Sequence, residues 1–121
     1  MAEGFSTAAA NTALDALVAA YPWVKFHVGA PGAAGTANAA TETTRKQGTF
    51  ASASSAATTT TGALTWTNVA GSEDYTHVTG WSAATAGNFG WSGTVTANPV
   101  IAGDTFVLAT GDLDVSLPVA S

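Results

Sequence analysis

Cysteine is absent from this 121-residue chain. That excludes a disulfide framework and a thiolate metal site, and it leaves the redox compartment unreadable. Charge is scarce as well: 9% of residues are Asp, Glu, Lys or Arg, against about 25% in ordinary domains. Cations are scarcest. Lys25, Arg45 and Lys46 stand against eight carboxylates, for a net charge of −5. Such a surface repels phosphate, so neither nucleic acid nor an anionic membrane is an expected partner. No stretch approaches the roughly eighteen apolar residues that a membrane-spanning helix needs. The opening Met1-Ala2-Glu3-Gly4 lacks a basic region before an apolar one, so no signal peptide is expected.

Ala, Thr, Ser and Gly fill the space that charge leaves. A chain of this length reads as a single domain over residues 1–121, large enough to bury a core. A subunit with so few charges loses little hydration when a large contact forms, which favours a surface hidden in an assembly. Residues 6–20 read as a helix, with Ser6 or Thr7 as N-cap, many alanines, and Pro22 as the stop. Leu14, Leu17 and Val18 fall on one helix face, a stripe suited to a sheet or a neighbouring subunit.

Residues 23–118 read as β structure. Val24, Phe26 and Val28 alternate inward, with Lys25 and His27 outward. Gly29 to Thr44, which contains Pro31, is a long loop without hydrophobic periodicity, and loops of that length are functional, covered or mobile. Short strands follow near Arg45–Ala51, Thr58–Thr61, Leu64–Thr67, Tyr75–Trp81 and Asn88–Ala97. Gly80 is a candidate bulge, and Pro99 marks an edge or loop. Thr105–Ala109 and Leu113–Leu117 are expected to pair around Thr110-Gly111-Asp112. The fold class is therefore mainly β: an antiparallel β-sandwich or jelly-roll-like barrel with one N-terminal helix.

The chain carries few side chains arranged for chemistry. His27 and His77 are the two histidines, with no nucleophile elbow and no zinc-binding spacing around them. Glu73-Asp74 and Asp112/Asp114 are acidic, but neither follows the ligand order of a calcium loop. No catalytic residue, metal or cofactor is expected. The tryptophans Trp23, Trp66, Trp81 and Trp91 suit a core or a subunit contact better than a sugar platform, since a chain poor in Leu and Ile needs bulk inside.

Several segments together resemble one known family. Asn11–Val18 (NTALDALV) looks like its N-terminal helix and Phe26–Thr36 (FHVGAPGAAGT) like its first strand and loop. Arg45-Lys46-Gln47 resembles a strand entry of that family, and Leu64-Thr65-Trp66 resembles the strand before one of its turns. His77–Gly93 (HVTGWSAATAGNFGWSG) is the closest match, and Val107–Leu117 (VLATGDLDVSL) resembles the closing hairpin. The family comprises small structural proteins of tailed bacteriophages, mostly phages of actinobacteria, of the tail fibre-like or capsid-associated kind. Ala30 and Thr43 depart from its Asp and Tyr. The resemblance implies a virion location and no catalysis. It implies first a capsid decoration protein docked on the major capsid protein, and second a minor tail or fibre component that binds host-surface glycans. The expected partners are the major capsid protein and copies of the chain itself. The expected contact residues are Leu14, Leu17, Val18, Pro31, Trp81 and Trp91.

Overall fold

A computed structural model describes residues 4–116, apart from the side chains of 96–98. Helix α1 runs from Thr7 to Ala20, and the Ser6 hydroxyl accepts the Ala9 N–H at its start. Strand β1 (Trp23–His27) follows directly after Pro22. It lies in a four-stranded antiparallel sheet with β2 (Lys46–Gln47), β5 (Glu73–Trp81) and β6 (Phe89–Val100), in the order β2-β1-β5-β6. Pro99 sits in β6, which pairs with β5 alone among the described strands. An edge strand can hold a proline because one side of it has no ladder to break.

The other layer is a bent ribbon. Strand β3 (Ala57–Thr59) pairs with β8 (Asp114–Ser116), and β4 (Leu64–Trp66) pairs with β7 (Phe106–Leu108). The segments 57–66 and 106–116 thus run antiparallel along most of their length. The expected hairpin between β7 and β8 does not form. At the bend the Gly111 N–H donates to the Thr60 carbonyl, and the Thr60 N–H donates to the Leu113 carbonyl. The turn at 109–112 therefore carries the chain onward along its old neighbour. The far end of the expected last strand, Leu117 onward, lies outside the described residues.

Ribbon, helix and sheet close on one core. Val24, Phe26, Val78 and Trp91 from the sheet meet Leu64, Trp66, Leu108 and Leu113 from the ribbon, with Leu17 and Tyr21 at the margin. Phe26 stacks on Tyr75 at 4.3 Å between ring centroids and meets Phe106 edge-on at 5.1 Å. The arrangement is sandwich-like, and among the described residues the three sheets stay separate, so no closed barrel ladder forms there. Val28, expected to face the core, lies past the end of β1 and is 40% exposed.

Candidate functional site

The sheet face turned away from the ribbon is assembled by cross-strand register. Residues paired across antiparallel strands share a face. Trp23 pairs with Trp81 and Trp81 with Phe89. Lys25 pairs with Thr79 and Thr79 with Ser92. His27 pairs with His77 and His77 with Thr94. Two irregularities between β5 and β6 decide which side chains join this face. The one between Tyr75 and His77 breaks their alternation, so Tyr75 turns into the core while His77 turns outward. The one between Gly80 and Trp81 separates the two tryptophans. Trp81 joins Phe89 on the outer face, with ring centroids 5.6 Å apart. Trp91 drops onto Gly80 on the core face and donates its indole N–H to the Tyr21 carbonyl at 3.1 Å. The hairpin thus brings together Trp81 and Phe89 and sends Trp91 through to the opposite side.

His27, expected outside, is fully buried. The loop after β1 folds back over it. Ala37 N–H donates to the Pro31 carbonyl, and the Val28 and Ala40 N–H groups pair with Asn38 and Phe26 carbonyls. Gly35 fits under the Phe89 ring, where a Cβ would stand 2.4 Å from Cδ1. With this loop on one side and the core on the other, β1 is covered on both faces at its end, which is why alternation misplaces His27.

The hydrogen bonds fix the tautomer. Nδ1 stands 2.9 Å from the Ala37 carbonyl, which can only accept, so Nδ1 carries the proton. Nε2 therefore accepts from the Thr79 hydroxyl at 2.9 Å, and that hydroxyl accepts the Trp81 indole N–H at 2.7 Å. Burial holds the His27 pKa below its ordinary value, with Lys25 and His77 adding to the effect and the Ala37 carbonyl opposing it. The imidazole is a neutral structural link here, with both nitrogens engaged.

Arg45 closes the other end. Its guanidinium lies 4.2 Å from the Trp81 ring centroid, and Nη1 donates to the Ala83 and Ala86 carbonyls at 2.8 and 2.7 Å. One side chain thereby shields an indole and holds the turn between β5 and β6. The acids cap turns. Glu73 accepts the Thr41 and Glu42 N–H groups, Asp104 that of Ile101, and Asp112 that of Ala109. Among the described residues no three His, Cys, Asp or Glu side chains gather as a metal site.

Residues 4–116 match the family described as Gp80, podophage GP4 fiber I protein gp80. The chain belongs to that family. It is accordingly a phage structural protein and a virion component. No curated protein matches it.

In this fibre-family chain the contact residues expected from sequence have cover of their own. Leu14 is fully buried, Val18 is 7% exposed, and Leu17 packs against the core margin. The helix also holds residues 53–56, whose backbone N–H groups reach Asp15 and Asn11. Its apolar stripe is occupied inside the chain. Pro31 is buried in the folded loop, and Trp81 and Trp91 lie on opposite faces of the sheet, both buried. Nothing in the sequence assigns Thr79 its link between His27 and Trp81, Arg45 its hold on the turn between β5 and β6, or Glu73 its cap on Thr41 and Glu42. The signals for Arg45 are its rarity as a cation and its place in the Arg45-Lys46-Gln47 match.

Proposed function

We propose that this chain is a subunit of a phage fibre that works by assembly and binding, without catalysis, and that it associates with copies of itself. The family match carries the reading, because it spans the whole described domain and not a shared fragment. The fold suits the role. Strand β6 pairs on one side with β5, and a long edge strand is a template for joining another chain. Ile101, just past β6, and Val107, on the outer side of the ribbon, are 68% and 47% exposed. Apolar side chains on a surface with few charges suit a contact between subunits. The non-catalytic reading is supported by His27, whose two ring nitrogens are spent on internal hydrogen bonds.

The test is immunogold labelling of intact virions with an antibody to this chain. Label confined to fibres is the expected result. A regular lattice of label over the head would establish capsid decoration on the major capsid protein instead. No label on purified particles would sink both readings.

A further inference from the structure

On the outer face of the four-stranded sheet, His27 is the one ionisable side chain among the described residues that is fully buried, and a loop is what buries it. The cover is thin. Within residues 29–40, Pro31, Gly35 and Ala40 are buried and the others reach solvent in part or in full. Two hydrogen bonds close the neck of the loop, Val28 N–H to the Asn38 carbonyl and Ala40 N–H to the Phe26 carbonyl. Beyond the neck, Gly35 sits under the Phe89 ring and His27 Nδ1–H reaches the Ala37 carbonyl. The other described donors of the loop turn back into it: Gly35 N–H, Ala37 N–H and Asn38 Nδ2 go to the Gly32, Pro31 and Ala30 carbonyls. A segment with few buried apolar contacts and mostly internal hydrogen bonds opens locally without unfolding the rest.

No carboxylate faces the imidazole. Its same-face neighbour on β1 is Lys25, its register partner on β5 is His77, and β6 adds the uncharged Thr94. Residues 28–40 contain no ionisable side chain. A second proton would therefore place a cation among cations. It would also turn Nε2 from acceptor to donor. The Thr79 hydroxyl now gives its hydrogen to Nε2 and accepts the Trp81 indole N–H. It would lose the acceptor for that hydrogen. The Ala37 carbonyl resists the change, because a charged N–H donates more strongly, but it answers one of two cationic N–H groups. A buried cation without a counter-ion is costly. The core lies on the other side of the sheet, so water reaches the ring by displacing the loop.

We propose that residues 29–40 form an acid-released cover: protonation of His27 lifts them from the outer ends of β1 and β5 while the sandwich stays folded, so that this part of the sheet is withheld at neutral pH and offered in acid. The inference does not rest on the fibre assignment and stands or falls separately from the labelling of virions.

The test is amide hydrogen exchange of the full chain by NMR at pH 7.5 and pH 5, corrected for the intrinsic exchange rates and repeated in urea well below the unfolding midpoint. The reporters are the Val28, Ala37 and Ala40 amides. Thr60 and Val69, whose N–H groups bond to the Leu113 and Asp104 carbonyls, report the body of the fold. An imidazole freed to its ordinary pKa of 6.5 is protonated roughly thirty to one at pH 5, which sets the ceiling of the effect. Opening at the three loop amides should rise by about tenfold or more from pH 7.5 to pH 5. It should be insensitive to the added urea, because a local opening exposes little surface, while exchange at Thr60 and Val69 stays slower and rises with urea. His27→Gln keeps a donor and an acceptor but takes up no proton, so its loop amides should open equally at both pH values. Lys25→Glu puts a carboxylate beside the imidazolium and should cut the acid effect several-fold; it serves as the independent variant should His27→Gln fail to fold. Loop protection that is the same at both pH values would overturn the cover. So would the same urea dependence at the loop and body amides, an undiminished acid effect in folded His27→Gln, or an undiminished one in Lys25→Glu.

Discussion

Replacing Gly80 by Ala tests the account of how β5 and β6 divide their aromatics. A Cβ at Gly80 would stand 2.1 Å from Trp91 Cε2 and 2.2 Å from Nε1. The ring cannot retreat freely, because its N–H is held by the Tyr21 carbonyl and its body belongs to the core. Forcing a methyl group into a packed core costs about 1–3 kcal/mol. Breaking the Trp91–Tyr21 hydrogen bond adds about 1 kcal/mol. The smaller entropy of an unfolded Ala chain returns roughly 0.4–1 kcal/mol. The net expectation is a loss of about 1–3 kcal/mol, read as a lower urea midpoint followed by tryptophan fluorescence. Gly93→Ala is the matched control on the facing strand. Its Cβ would meet only Val78 Cγ2, at 3.9 Å, so its stability should lie within about 0.5 kcal/mol of the parent or above it. Unchanged stability in Gly80→Ala, or an equal loss in Gly93→Ala, would refute the reasoning.

The remaining expectations concern buried polar groups. His27 has a folded-state pKa below its unfolded value of 6.5, so the unfolded chain takes up the proton first. Its contribution is then fully present above about pH 7 and falls as pH drops below 6.5, by at most about 1.4 kcal/mol per pH unit. Urea midpoints measured between pH 7.5 and 5 should show this slope, and His27→Gln should flatten it. The buried Tyr75 hydroxyl has no hydrogen-bond partner among the described residues, so Tyr75→Phe should be neutral or stabilising by up to about 1 kcal/mol in the same assay; a loss above about 1 kcal/mol would contradict the structure. Burial, then Glu73 and Glu42, push its pKa up from 10.0 to about 12. The folded chain therefore holds that proton longer than the unfolded one, and this contribution to stability should be lost as pH rises from about 10 to 12. Glu73→Ala should cost about 1–3 kcal/mol by leaving the Thr41 and Glu42 N–H groups without their acceptor, and hydrogen exchange at those two amides should accelerate.

Local chemistry was enough to read some elements from the chain alone. Ser6, the run of alanines and Pro22 define α1, because capping, propensity and the steric demand of proline act within a few residues. Alternation placed Val24 and Phe26 inside. Pro99 pointed to an edge or a loop, and it sits in the edge strand β6, which runs on past Ala97 to Val100. The mainly antiparallel β class with one helix followed from the same signals. The tertiary structure alone decided the partners. The β7 and β8 segments look like a hairpin, yet each pairs with the 57–66 stretch, since strand pairing is settled by a long-range fit that neighbours in sequence do not encode. It also decided the faces. Alternation says that His27 opposes Phe26, but not that residues 31–40 will cover it. Nor does it show that two register shifts will turn Tyr75 and Trp91 inward while His77 and Trp81 stay on the outer face. A one-residue slip moves a side chain across the sheet, and only the folded partner strand fixes where that slip occurs.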